Sequence, residues 1–298
     1  MIFHNNNENI FFQLCDYKQL EVAEWLLEKC DTPLSVSDEE NSPIDIHVKD
    51  EYIFRHVCRY GYFEVVKWLL EVGKKRNSPI NIHANNEEAF RLACYYNHRE
   101  VIKLLYELSE TNNEPIDIHA NNEEAFIVAC RHGYHKLAKW LYEISKKNKI
   151  IDIHCCDDKY DDITSECVFS QVCYYEYPEI AKWLYEISIE QNRESESLSA
   201  KRIDSLCESL SSKRIDIHYK NDYYIRETCT PDCEIAKWLL SLSDTKYIKE
   251  NLSEYPLAKE ELKNRESSKL DLFIYLSKNE KIKKLLDMHA INIIFEYI

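Results

Sequence analysis

A short phrase, Ile-Asp/Asn-Ile-His, returns five times along this chain. It reads Ile44-Asp45-Ile46-His47, Ile80-Asn81-Ile82-His83, Ile116-Asp117-Ile118-His119, Ile151-Asp152-Ile153-His154 and Ile215-Asp216-Ile217-His218. Pro43, Pro79 and Pro115 precede the first three, and the histidines stand 36, 36, 35 and 64 residues apart. Self-similarity at a period of roughly 20–50 residues marks a solenoid, in which each unit buries its apolar face only by stacking on the next. The period therefore constrains the fold strongly and the chemistry weakly.

A second column runs in step with the first. Eleven residues after His47, His83, His119 and His218 come Cys58, Cys94, Cys130 and Cys229. Four residues before the cysteine of each unit stands Phe11, Phe54, Phe90, Phe126, Phe169 or Ile225. A large apolar residue follows the cysteines, in the pairs Cys15/Trp25, Cys58/Trp68, Cys94/Leu104, Cys130/Trp140, Cys173/Trp183 and Cys229/Trp238. Phe90, Ala93 and Cys94 share one face of a first short helix, and Val101, Leu104, Leu105 and Leu108 repeat that spacing in a second. Each unit thus reads as an extended turn rich in Asn and Asp, followed by two antiparallel helices. Asn and Asp suit that turn because their side chains bond nearby amides and tolerate left-handed backbone. The column of Trp140 is expected in the core, shared by both neighbouring units.

The stretch Glu88-Ala89-Phe90-Arg91-Leu92-Ala93-Cys94-Tyr95-Tyr96-Asn97-His98-Arg99-Glu100-Val101-Ile102-Lys103-Leu104-Leu105 resembles the ankyrin-repeat pattern TPLHxAAxxGHxEVVKLL. The Ile-Asp-Ile-His phrase is similar to that family's finger segment. The resemblance implies an all-α ankyrin-repeat solenoid, stacked helix-turn-helix units joined by extended finger turns. It departs from the pattern at the Thr-Pro that usually opens the first helix, replaced by Glu88-Ala89 or Tyr52-Ile53. Gly61 and Gly133 hold the inter-helix turn, where Asn97 takes the glycine position in the third unit, Asn being the next choice for left-handed backbone. The 36-residue period and the phrase Ile-His-Ala-Asn-Asn-Glu-Glu-Ala-Phe resemble a divergent ankyrin subfamily abundant in giant DNA viruses of amoebae.

The resemblance covers 1–250 as about six repeats, roughly 8–43, 44–79, 80–115, 116–150, 151–214 and 215–250. Insertions fall near 31–40, 156–162 and 191–213, where the cysteine-to-histidine spacing lengthens. Within the last, Glu196–Asp204 nearly repeats as Glu208–Asp216, a polar duplication that reads as a solvated loop or frayed helix. Residues 251–298 read as a degenerate repeat or a C-terminal helical cap, because a solenoid needs an atypical end unit over its last apolar face. An adaptor that recruits a host ubiquitin ligase is the rival reading of this segment, without the Leu-Pro start of an F-box.

Charge and motifs exclude most other functions. A net charge of −15 repels nucleic acid and anionic lipid, so neither partner is expected. The N-terminus reads without a secretory signal and no apolar run approaches a membrane span, so a cytoplasmic location is expected, that of the host cell for a viral protein. With three glycines there is no phosphate loop, and no nucleophile elbow or zinc-protease motif occurs, so no enzyme activity and no cofactor are expected. The carboxylates read as solvated surface. The cysteines Cys15, Cys58, Cys94, Cys130, Cys173 and Cys229 fill one slot of successive inner helices and read as small hydrophobes. His154-Cys155-Cys156 and Cys229 with Cys233 lack the paired spacing of a zinc site. The finger histidines are expected to bond backbone between adjacent fingers.

What remains is a non-catalytic scaffold for protein–protein interaction, read as a monomer with a protein partner. The candidate partner-binding residues are Arg55, Arg59, Tyr60, Arg91, Tyr95, Tyr96, Arg131, His132, Tyr174 and Tyr175, with Arg226 in the same column, since Tyr and Arg dominate many interfaces. The opposing reading packs these side chains against neighbouring repeats. The fingertips Asn85, Asn86, Asn121 and Asn122 are the alternative surface. Ile82–Phe90 and Ile118–Phe126 are identical, which also admits an expanded paralogue with a structural or decoy role and no dedicated partner.

Overall fold

A computed structural model describes residues 6–31, 43–153, 168–199, 233–243, 245–251 and 256–278. The chain divides into two compact units, 1–172 and 173–298. Regular structure among the described residues is entirely helical.

The first unit alternates inner helices α1 (Asn6–Asp16), α3 (Val48–Arg59), α5 (Ala84–Tyr95) and α7 (Ala120–Arg131) with outer helices α2 (Leu20–Asp31), α4 (Phe63–Lys75), α6 (Arg99–Asn112) and α8 (His135–Ser145). Phe11, Phe54, Phe90 and Phe126 are fully buried, and so are Cys15, Cys58, Cys94 and Cys130 four residues on. Those two columns form the seam along which α3, α5 and α7 stack more closely than the outer helices do. Burying one Phe is worth about 1.5–3 kcal/mol. The thiols are inert filling: burial pushes Cys15 up to about 12, and it raises Cys58, Cys94 and Cys130 as well.

The fingers are extended and alternate like strands. Ile44, Ile46 and Val48 are buried while Asp45 is exposed, and Ile80, Ile82 and Ala84 repeat the pattern. Asp45, Asn81 and Asp117 each accept the N–H of the following histidine two residues on, at 2.8, 3.0 and 2.9 Å, closing an Asx turn. Between the helices Gly61 and Gly133 have φ of +67° and +73°, and Asn97 has +56°. Gly61 is required twice over, since a methyl there would collide with the His98 ring.

The tryptophan column lies elsewhere than expected. Trp25 is 55% exposed, Trp68 and Trp140 are half-buried, and the core position is one residue later, at Leu69, Leu105 and Leu141. Helical geometry explains the shift: Leu137, Ala138 and Leu141 share the face turned to the inner helices, and Trp140 falls at its edge. Its ring stands edge-on to Tyr106, centroids 5.1 Å apart.

A short helix, α9 (Val168–Tyr174), follows α8 in the chain. In the second unit, α10 (Pro178–Ser199) buries Ile180, Ala181 and Leu184, and α11 (Glu234–Leu242) buries Ile235, Ala236 and Leu239. The duplicated polar insertion begins inside α10, so its first residues are helical; residues 200–232, with Ile225, Arg226, Cys229 and the last finger, lie outside the described part. The insertions at 31–40 and 156–162 fall largely or wholly outside it, as does His154-Cys155-Cys156. A short helix, α12 (Thr245–Asn251), leads to the 23-residue α13 (Pro256–Lys278). Its Arg265 donates to the carbonyls of Leu240 at 2.7 Å and Ser243 at 2.9 Å, satisfying the end of α11. Leu272 and Leu276 lie on this one helix; residues 279–298 lie outside the described part.

The burial pattern orders two substitutions. Leu141→Ala is expected to cost about 2–5 kcal/mol, the range for emptying a closed leucine site, and Trp140→Ala less. Equilibrium urea unfolding of both variants measures the order, and a larger loss at Trp140 would contradict it.

Candidate protein-recognition surface

The chemistry of the surface starts at the finger-to-helix joint. The three residues Lys49-Asp50-Glu51, Asn85-Asn86-Glu87 and Asn121-Asn122-Glu123 all lie in the left-handed region, with φ between +51° and +65°. The third residue of each triplet turns its side chain inward: Glu51, Glu87 and Glu123 are only 4, 6 and 5% exposed. These carboxylates correct two expectations. They are buried rather than solvated, and they, not the histidines, bond the backbone of the next finger. Glu51 accepts from His47 Nδ1 at 2.7 Å and from the Asn81 N–H at 3.0 Å. Glu87 does the same with His83 at 2.8 Å and the Asp117 N–H at 3.2 Å. Glu123 receives His119 Nδ1 on both oxygens at 2.8 Å. A carboxylate only accepts, so Nδ1 is the donor, and Nε2 of His47 lies 2.8 Å from the Ser78 hydroxyl.

The candidate arginines divide into two groups. Arg55 and Arg91 have side chains only 13 and 12% exposed and ion-pair with Glu88 and Glu124 of the following repeat. Arg55 also donates to the carbonyls of Asp50 and Lys49, at 2.8 and 3.0 Å, and Arg91 to those of Asn86 and Asn85, at 2.8 and 3.3 Å. Arg131 donates from Nε to the buried Gln171 at 3.0 Å. These three arginines tie the stack together.

Arg59 is different. Its guanidinium lies 5.6 Å from the Tyr96 ring centre and 5.8 Å from that of Tyr60, and Nη2 donates to the Tyr96 hydroxyl at 3.1 Å. Tyr60, Tyr95 and Tyr96 remain 48, 37 and 40% exposed. Behind them the turn residues complete a ladder of rings: Tyr60 on Tyr62 at 5.7 Å, Tyr96 on His98 at 6.1 Å, and His132 on Tyr134 at 5.7 Å. His98 Nε2 lies 2.9 Å from the Arg59 carbonyl oxygen, linking consecutive turns. His132 is a packing ring with its edge against Tyr95 at 5.0 Å, and burial, then the Arg131 charge, lowers its pKa. In the second unit Tyr174 and Tyr175 stand edge to face at 5.1 Å and are about half exposed. The fingertips are also joined, Asn86 donating to Asn121 at 2.8 Å.

No pair of carboxylates here is set apart as acid and base, and among the described residues no group of three metal ligands converges. No helix among them is long and apolar enough to cross a membrane. The geometry is that of a helical repeat scaffold with a lateral strip of ordered rings. The model for ankyrin repeats in three copies matches residues 11–117 and again 54–153, so this stretch is similar to ankyrin repeats. No curated protein matches this chain.

Two outcomes test this joint and ring ladder. Glu87→Ala is expected to cost about 1–3 kcal/mol by leaving the Asp117 N–H and His83 without an acceptor. Glu87→Gln should cost less, because Oε1 carries both bonds and Oε2 has no hydrogen-bond partner. For His132, a lowered folded pKa means the unfolded chain binds the proton first, so its contribution is full above the unfolded value near 6.5 and is lost as pH falls toward the folded value. Tm of the wild type should therefore drop more between neutral pH and mildly acidic pH than that of His132→Phe; equal slopes would remove the assignment.

Proposed function

We propose that the chain is a non-catalytic scaffold that recognises a protein partner through the turn-side strip of Arg59, Tyr60, Tyr95 and Tyr96. The observation that carries the reading is the exposure of three tyrosines held in fixed positions by Arg59 and by the rings behind them. Rings already ordered lose little conformational freedom on binding, and Tyr and Arg bring large contact area with hydrogen-bonding tips. Ankyrin repeats mediate protein interactions in general, which supports the same class of function. Tyr174 and Tyr175 form a second exposed aromatic pair, proposed to serve recognition within their own unit.

The alternative of an expanded paralogue without a dedicated partner draws on the identity of Ile82–Phe90 with Ile118–Phe126. Substitution separates the two. The double variant Arg59→Ala, Tyr96→Ala should abolish partner capture in proximity labelling and pull-down while stability stays within about 0.5 kcal/mol, as exposed changes usually do. Arg91→Ala should instead lower stability by about 1–3 kcal/mol, since it removes the ion pair to Glu124 and the donor shared by the Asn85 and Asn86 carbonyls. An unchanged set of neighbours for the double variant favours the paralogue reading.

A further inference from the structure

Outer helices meet less closely than inner ones, and between α6 and α8 this leaves a groove of about 370 Å³. Its floor is Ile102 and Leu137, and its walls are the edge-to-face rings of Tyr106 and Trp140. Lys147 holds Tyr106 in place, donating to its hydroxyl at 3.0 Å. The rim carries Arg99, Lys103 and Lys136 against a single carboxylate, Glu107, which lies 3.5 Å from Lys103.

One rim residue breaks the repeat. Four residues before the tryptophan column stand Glu21, Glu64, Glu100, Glu179 and Glu234, but the fourth repeat has Lys136. What the glutamate does is visible in the second unit, where the same Tyr/Trp arrangement recurs as Tyr185 and Trp238 with centroids 5.6 Å apart. There Lys182, in the place of Lys103, bridges to Glu234 at 2.8 Å and so closes the rim with an ion pair. Between α6 and α8 the corresponding residues are Lys103 and Lys136, two cations that cannot pair. An apolar, aromatic slot is thus ringed by positive charge on a chain whose net charge is −15.

We propose that this groove is a second docking site, for an acidic peptide segment that seats one large apolar side chain between Tyr106 and Trp140. Charge complementarity selects the occupant. Arg99 and Lys103 stand one helical turn apart, with Lys136 on the facing helix, so the rim matches at least two carboxylates flanking the anchor rather than a single anionic head. The floor supplies the affinity through buried apolar area, and the rim supplies selectivity and a salt-sensitive on-rate.

The test uses the full chain and a panel of fluorescein-labelled heptapeptides in which one Phe, Leu or Trp stands among Glu and Asp, with matching panels in Lys. Fluorescence anisotropy should show binding of acidic members and not of their lysine counterparts, weakening as salt rises. Lys136→Glu, which restores the residue of the other repeats and allows an ion pair with Lys103, should weaken binding by about tenfold or more, a difference of roughly 1.4 kcal/mol, with Tm unchanged or raised. Arg59→Ala with Tyr96→Ala should leave this binding intact, which separates it from the turn-side strip. Absence of binding by every acidic peptide, equal binding of lysine peptides, or full affinity in Lys136→Glu overturns the proposal.

Discussion

The buried glutamate at each finger joint is the contact on which the repeat geometry rests. Glu51 and Glu87 each accept from the histidine of their own finger and from the backbone of the next. One side chain therefore sets both the turn within a repeat and the register between repeats. The turn needs such a hold, because left-handed backbone costs about 1–2 kcal/mol for most residues, with Asn and Asp the cheapest after Gly. Comparing the three joints shows which holder is essential. The second and third repeats add Arg55 and Arg91 across the turn carbonyls, but the fourth has the buried Ile127 in that place and keeps the same left-handed triplet. The histidine–glutamate pair is common to all three. The arginine accompanies it where the neighbouring repeat offers Glu88 or Glu124 as a partner.

Much of this architecture was legible in the sequence because repetition averages out local ambiguity. The Phe and Cys columns, the extended fingers and the left-handed Asn97 all follow from residues recurring in step. The tryptophan error has a physical origin: in Trp68-Leu69-Leu70 and Trp140-Leu141-Tyr142 neighbouring large residues compete for the core face, and only the angle of the outer helix decides among them. The buried carboxylates were missed because a lone glutamate near a turn is ordinarily solvated. Their signal was present, since Glu51, Glu87 and Glu123 stand four residues after the finger histidines His47, His83 and His119. A charge kept in register with a structural column, where neighbouring surface positions vary, points inward.

The arginines show where one-dimensional reading stops. Arg55 and Arg59 are one helical turn apart and look equivalent as anchors. Yet Arg55 turns to Glu88 and the finger carbonyls, and Arg59 turns to the rings of Tyr60 and Tyr96. The distinction depends on which residues the next repeat brings alongside, and so on the stacking itself. His132 packs among Tyr95, Tyr134 and Arg131, and burial, then the Arg131 charge, lowers its pKa.

The strip gains its order from the same nearest-neighbour logic that stabilises the core. Arg59 of one repeat bonds Tyr96 of the next, and the His98 ring covers Gly61 while pairing with the Arg59 carbonyl. A glycine with positive φ is needed there for the ring to approach, so the backbone of one turn and the aromatic face of the following turn are set together. Because each repeat touches only its neighbours, a change at one turn perturbs two interfaces and leaves the rest of the stack in register. That independence lets surface chemistry differ from one repeat to the next, as at Lys136, without disturbing the inner columns of phenylalanine and cysteine that hold the fold.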